Sequence, residues 1–152
     1  MNYHVAFVGN PNVGRVRGSM RSAMRISRLE TGRGLPLKKR SQCMLGGDSY
    51  HIIDLPGTYS LTNNGNEESI TAAYLQSQQV DLIVNVLDAT NLQRNLMLTL
   101  FLRELQIPML LIFNFMDEVK DYGIHIDTAA FQGALEWRYW RIPPLTADII
   151  VR

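Results

Sequence analysis

Four short apolar runs, separated by polar segments, dominate the pattern of the chain. They occupy residues 3–8, 49–54, 81–87 and 108–113. Each run has the length of a β-strand. Between the last two, apolar side chains recur every three or four residues over positions 92–105, which predicts a helix, and residues 67–78 are a weaker helix candidate. Alternating strands and helices predict an α/β fold, in which a mostly parallel sheet carries helices on both faces.

The composition is that of one globular domain. With 152 residues and 46% apolar side chains, the chain can bury one full core, and residues 1–152 are expected to form a single domain. No apolar run approaches the ~20 residues that span a bilayer, and we expect no leader peptide. Cys43 is the only cysteine, which excludes an internal disulfide, and the three histidines show no metal-ligand spacing.

The charge is distributed very unevenly. Residues 15–47 hold nine of the fifteen Lys and Arg residues and one of the fourteen acidic residues, a local net charge of +8 against −7 for the rest. Such a block is one sign of a surface that binds nucleic acid or anionic membranes. It contains no Phe, Trp or Tyr to stack on bases, and a solvated basic segment is the commoner meaning of such a run. No nucleic-acid partner is therefore expected.

A glycine-rich segment follows the first predicted strand. Residues 9–16 read Gly-Asn-Pro-Asn-Val-Gly-Arg-Val and match the phosphate-loop pattern G-x-x-x-x-G-K-[ST] except at the last two positions. The glycines of this pattern let backbone N–H groups surround phosphate, the lysine reaches the β- and γ-phosphates, and the hydroxyl binds Mg²⁺. Here Arg15 and Val16 take the last two places, so two of the working side chains are missing.

Two further motifs follow later predicted strands. D-x-P-G runs from Asp54 to Gly57, and N-x-x-D runs from Asn114 to Asp117. In this order and at strand ends, the three motifs are typical of a guanine-nucleotide site. We expect Asp54 to hold Mg²⁺ through water and the Gly57 N–H to meet a γ-phosphate. Asp117 would accept two hydrogen bonds from guanine, and Asn114 would brace the loops around the base.

The predicted nucleotide-binding residues are those of the three motifs, and GTP or GDP is the predicted cofactor. They are Gly9, Asn10, Pro11, Asn12, Val13, Gly14, Arg15, Val16, Asp54, Leu55, Pro56, Gly57, Asn114, Phe115, Met116 and Asp117. Mg²⁺ binding through Asp54 is expected to be weakened, because Val16 offers no oxygen ligand. No catalytic residue is assigned.

Three stretches resemble the N-terminal G domain of the ferrous iron transport protein B (FeoB) family. They are the loop from position 9 to 14, Asp-Leu-Pro-Gly-Thr-Tyr-Ser-Leu at 54–61, and Asn-Val-Leu-Asp-Ala-Thr-Asn-Leu-Gln-Arg-Asn-Leu at 85–96. The resemblance implies a Ras-like P-loop GTPase fold and a cytoplasmic domain that binds GTP and Mg²⁺. It also implies regulation of Fe(II) passage through a following membrane domain, with a small helical domain between the two, neither of which is present in the chain.

Residues 15–47 do not resemble the family, which leaves the first helix and the second strand in doubt. The family has Lys followed by Thr or Ser here, and a later Trp-Pro-Gly-Val-Thr-Val-Glu-Lys segment with the switch threonine. Codons can be chosen for residues 31–39 that encode this segment when read from the third base, so a frameshift is one hypothesis. A genuine, degenerate regulator that does not hydrolyse nucleotide is the other. Under either hypothesis hydrolysis is expected to be severely impaired.

The end of the chain allows two interpretations as well. Residues 135–140 are either an ordinary aromatic-rich strand or a shifted copy of the last strand of the family. In the second case Thr146 and Ala147 would be the remnant of the final base-contacting loop, and the domain would be truncated near that motif.

Overall fold

The computed structural model describes most of the chain outside the basic block. The described residues are 1–13, 27–28, 39–45, 47–61, 66–77, 80–127, 130, 138–141 and 148–151. Several predictions from the sequence lie outside them. These are the roles of Gly14, Arg15, Val16, Thr146 and Ala147, the first helix, and the start of the aromatic segment at 135–137.

The described strands form one eight-stranded sheet in the order β2-β3-β4-β1-β5-β6-β8-β7. Their bounds are β1 Asn2–Gly9, β2 Ser27–Arg28, β3 Lys39–Leu45, β4 Asp48–Asp54, β5 Leu82–Asp88, β6 Met109–Asn114, β7 Arg138–Arg141 and β8 Asp148–Val151. The four central strands β4, β1, β5 and β6 run parallel. These are the four strands that the apolar runs predicted, and the α/β prediction is confirmed.

Among the described residues, three α-helices and one short 3₁₀-helix connect the strands. They are α1 Asn66–Ser77, the 3₁₀-helix Ala89–Asn91, α2 Leu92–Arg103 and α3 Met116–Asp121. Asp88 caps the 3₁₀-helix by accepting hydrogen bonds from the Thr90 N–H at 2.8 Å and the Thr90 hydroxyl at 2.6 Å. Both predicted helices, α1 and α2, are confirmed. No helix among the described residues is long and apolar enough to cross a membrane.

The core lies between the central strands and the helices. Apolar side chains of β1, β4, β5 and β6 form one buried cluster with residues of all three helices. The helical members are Tyr74, Leu75, Leu98, Leu102 and Val119. Because β5 is flanked by β1 and β6, its side chains from Ile83 to Leu87 are all buried. This rigid centre fixes where the carboxyl ends of the strands lie.

The second strand, left in doubt by the sequence, is present as β3. It pairs with β4 antiparallel over its full length, from Lys39 opposite Asp54 to Leu45 opposite Asp48. Two residues connect the strands, and Gly47 adopts a φ of 89°, a conformation that glycine adopts at no steric cost. Part of the basic block is therefore integrated into the sheet, although its sequence shows no strand pattern.

The chain ends in a second antiparallel pair. β8 pairs with β6, and β7 pairs with β8 at the edge of the sheet. Residues 138–141 therefore form a strand, as the interpretation of residues 135–140 as an ordinary aromatic-rich strand predicted for its described part. β8 was not predicted.

Candidate functional site

The three sequence motifs meet at one edge of the sheet. β1 ends at Gly9, β4 at Asp54 and β6 at Asn114. These strands belong to the parallel centre, so their carboxyl ends lie on the same edge, where α/β proteins bind ligands. The placement predicted for the motifs is therefore present.

The phosphate-loop segment begins at Gly9, which lies in close contact with β5. A Cβ at Gly9 would lie 2.9 Å from the Val86 carbonyl oxygen and 3.1 Å from Cγ2 of Val13, so the close approach requires glycine. The loop then turns through Asn12, which has a φ of 66°, and buries Val13. The described half of the loop thus curls back on the end of its own strand.

The D-x-P-G segment packs directly against this loop. A Cβ at Gly57 would lie 3.1 Å from both the Cα and the N of Pro11. The next residue, Thr58, donates its backbone N–H to the Gly9 carbonyl at 3.1 Å. From α1, the buried Thr71 hydroxyl donates to the Pro56 carbonyl at 3.3 Å. Contacts from the phosphate loop and from the Thr71 side chain therefore hold the segment in place.

The N-x-x-D segment contacts the same loop from β6. The Asn114 side-chain amide donates to the Val13 carbonyl at 3.1 Å. Phe115 has a φ of 62°, a left-handed conformation in which the chain turns into α3. Asp117 follows in the first turn of α3 and is exposed. The amide of Asn114 thus braces the phosphate loop, and the carboxylate of Asp117 lies open to solvent nearby in the chain.

The sequence predictions missed two residues that lie at this site. They are Arg94 in α2 and Tyr59 in the loop after D-x-P-G. Asn10 is 5% exposed and donates its side-chain amide to the Arg94 carbonyl at 3.5 Å. The Arg94 guanidinium carbon lies 4.1 Å from the centre of the Tyr59 ring, a cation–π contact. Both Tyr59 and Arg94 lie within the stretches that resemble the FeoB family, which was the available signal.

The groups at this site are better suited to binding a phosphate than to binding Mg²⁺. Glycines at positions 9 and 57 leave backbone close to the site, and Asp54 offers a half-buried carboxylate at the end of β4. The other expected Mg²⁺ ligand is absent from the sequence, because Val16 has no oxygen in its side chain. Within the described residues, no group of three His, Cys, Asp or Glu side chains could hold a metal ion.

The family model described as Ferrous iron transport protein B matches residues 3–143. The chain belongs to this family. Among curated relatives, the Fe(2+) transporter FeoB of Campylobacter jejuni is 41% identical over 129 residues, which are 82% of this chain and 21% of that protein. FeoB of Helicobacter pylori strain J99 is 42% identical over 127 residues, 82% of this chain and 20% of that protein. The chain thus spans about a fifth of the length of these relatives.

Solved structures of FeoB share the fold. The FeoB G-domain from Methanococcus jannaschii has a TM-score of 0.73 and 39% identity, with 89% of this chain and 81% of that chain covered. The mGMPPNP-bound NFeoB from S. thermophilus has a TM-score of 0.69 and 32% identity, with 88% of this chain and 51% of that chain covered. A mutant S. thermophilus NFeoB bound to GDP has a TM-score of 0.72 and 33% identity, with 88% of this chain and 53% of that chain covered. The Ras-like P-loop GTPase fold and the FeoB resemblance are confirmed.

Proposed function

We propose that this chain is the guanine-nucleotide-binding domain of a ferrous iron transporter, with impaired hydrolysis. The observation that carries the proposal is that the other two motifs both contact the phosphate loop, Asn114 through Val13 and Gly57 through Pro11. Similar solved structures of NFeoB are bound to GDP or mGMPPNP, which supports a guanine nucleotide here as well.

Each motif has its own part in binding. The backbone of the phosphate loop would surround the phosphates, and the Gly57 N–H would meet the γ-phosphate. The Asp117 carboxylate accepts hydrogen bonds from the N1–H and the exocyclic amine of guanine, which adenine cannot offer. Asn114 keeps the base-contacting segment and the phosphate loop together. The base and the phosphates are thus bound by separate segments, which contact each other through Asn114 and Val13.

Turnover is expected to be low because phosphoryl transfer depends on positioning and charge neutralisation. A bound Mg²⁺ would neutralise charge on the β- and γ-phosphates, and Asp54 would hold it through water. Val16 provides no hydroxyl ligand, and the planar guanidinium of Arg15 does not replace the compact ammonium of lysine. Nucleotide binding is therefore retained more fully than hydrolysis.

In the full-length transporter, nucleotide binding would regulate Fe(II) uptake. The domain would lie on the cytoplasmic side of the membrane and act on a helical domain and a membrane domain, which are not part of this sequence. The relatives that the chain matches are Fe(2+) transporters about four times its length, which supports this larger context.

Titration with fluorescent GDP, GTP and ADP analogues tests the proposal. We expect saturable binding of both guanine nucleotides, at least ~10-fold weaker binding of the ADP analogue because two hydrogen bonds to Asp117 are lost, and phosphate release near background. Equal binding of ADP would contradict guanine recognition. Turnover at the rate of an intact FeoB G domain would contradict the impairment.

A degenerate regulator, with Arg15 and Val16 as genuine residues, is the second candidate. It is favoured by the full-length pairing of β3 with β4, because this part of the divergent block takes a regular place in the sheet. In that case the substitutions Arg15→Lys and Val16→Thr together should not restore hydrolysis, which a phosphate-release assay would measure.

A further inference from the structure

The contact between Arg94 and Tyr59 joins α2 to the segment after D-x-P-G. Tyr59 is the second residue after Gly57, and its ring lies under the Arg94 guanidinium at 4.1 Å. The same Arg94 offers its backbone carbonyl to the buried amide of Asn10, in the phosphate loop. One residue of α2 therefore touches both segments that approach the phosphates.

Other described contacts hold this segment as well. The Thr58 N–H donates to the Gly9 carbonyl at 3.1 Å, and the Thr58 hydroxyl donates to the Ser60 carbonyl at 2.5 Å within the same turn. Leu61, at the end of this turn, packs against the hydrophobic core. The Tyr59 ring is a side chain through which α2 contacts the turn that follows Gly57.

We propose that Arg94 is a positioning residue that holds this turn against the phosphate loop and thereby favours the γ-phosphate. The inference rests on the proposed nucleotide function. If Tyr59 is held, the N–H of Gly57 is already in place, and a γ-phosphate need not order it. GDP has no γ-phosphate, so the preformed turn raises its affinity less. Removing the contact should therefore weaken GTP analogues more than GDP.

The measurement is the ratio of affinities for a non-hydrolysable GTP analogue and GDP. An exposed cation–π contact corresponds to roughly a two- to five-fold effect, so Arg94→Ala should lower the preference for the GTP analogue by about that factor. Tyr59→Leu should do the same, and the double variant should be no worse than either single variant. Tyr59→Phe keeps the ring and should leave the ratio unchanged. Arg94→Lys keeps a positive charge and should lower the ratio less than Arg94→Ala does.

Arg103→Ala is the matched control. It removes the same charge from the same helix, at an exposed position in the last turn of α2. An equal change in the ratio for Arg103→Ala would mean that only net charge matters, and would overturn the proposal. So would a change for Arg94→Ala without one for Tyr59→Leu, since Arg94 would then act directly on the phosphates.

Hydrogen exchange of the nucleotide-free protein separates this proposal from the function on which it rests. Arg94→Ala and Tyr59→Leu should speed exchange of the Thr58 amide, with exchange in β5 unchanged. If the unmodified chain binds no nucleotide, the proposed function fails, and exchange alone decides whether Arg94 holds the turn. Unchanged exchange at Thr58 in both variants would overturn the positioning role.

Discussion

Gly57 has room for a hydrogen atom and for little more. Because a Cβ there would lie 3.1 Å from the backbone Cα and N of Pro11, Gly57→Ala should push the D-x-P-G segment away from the phosphate loop. We expect a loss of about 1–3 kcal/mol in the free energy of unfolding, measured by urea denaturation, together with weaker GTP-analogue binding.

Pro11→Ala provides the control for this prediction. The atoms that a Cβ at position 57 would meet belong to the backbone, and alanine keeps both. Pro11→Ala should therefore not rescue Gly57→Ala. A rescue would show that the proline ring, rather than the approach of the two backbones, limits the space.

Asp117 carries the guanine prediction and can be tested by changing the base. Asp117→Asn replaces an acceptor by a side-chain amide that can also donate, so guanine should lose at least ~10-fold in affinity, as expected for hydrogen bonds to a charged group. Xanthine nucleotides carry a carbonyl in place of the exocyclic amine and should gain. Titration with GDP and xanthosine diphosphate measures both, and a parallel loss of both nucleotides would contradict the assigned role.

At this scale the sequence predicted the motif residues but not their supports. Each motif was visible because its residues stand at the end of an apolar strand, where a parallel sheet presents loops to a ligand. Arg94 and Asn10 touch across 84 positions of the chain. No local pattern indicates such a pair, since only the packing of α2 beside β5 brings the two residues together.

At the scale of elements, a buried hydrogen bond links β5 to α2. The Asn85 side-chain amide donates to the Thr99 hydroxyl at 2.8 Å, and both residues are buried. Thr99→Val removes the acceptor and leaves the amide of Asn85 buried without it. We expect a loss of about 1–3 kcal/mol in the free energy of unfolding, measured by urea denaturation.

The double variant Asn85→Leu with Thr99→Val is the informative comparison. It replaces both partners by apolar groups of similar shape, so its free energy of unfolding should lie closer to that of the unmodified protein than that of Thr99→Val does. If the double variant were less stable than Thr99→Val, the hydrogen bond between Asn85 and Thr99 would stabilise the fold by more than the cost of burying its two polar groups.

The elements that the sequence predicted are those with apolar periodicity. β1, β4, β5 and β6 are apolar because the sheet centre is buried, and α2 shows the helical spacing of a helix packed on one side. β3 has no such pattern, since Lys39–Leu45 is largely polar and gains its place by pairing with β4. The Gly-Gly pair between these strands was the one local signal of a hairpin. β8 pairs with β6 from more than thirty positions away, beyond the reach of any local pattern.

At the scale of the whole molecule, charge divides the chain into two parts. The parallel centre and the D-x-P-G and N-x-x-D motifs lie outside residues 15–47, which carry a net charge of +8. The fold tolerates the difference because the described parts of this block, β2 and β3, lie at one end of the strand order. A change at the edge of a sheet disturbs fewer buried contacts than one at its centre. Loss of chemistry without loss of fold is the expected consequence.

The last prediction concerns the origin of residues 15–47 and is tested on the DNA that encodes them. If the block is a frameshifted copy, its codons read from the third base will encode Trp-Pro-Gly-Val-Thr. A protein made with the frame restored across residues 15–47 would regain Lys, a hydroxyl ligand and the switch threonine together. Its rate of GTP hydrolysis should then exceed that of the present chain at least ~100-fold, since even one preorganised group is worth that much in a transition state.

The two-residue variant Arg15→Lys with Val16→Thr does not separate the frameshift from the degenerate regulator, because both predict low turnover for it, and the codons of residues 15–47 decide between them. It rebuilds the end of the phosphate loop but not the switch threonine, so its phosphate release should stay well below that of the frame-restored protein. Codons that encode no family sequence in any frame would leave Arg15 and Val16 as genuine residues. The chain would then be a regulator that binds nucleotide without turning it over, and single-turnover assays with GTP should show bound nucleotide and no GDP.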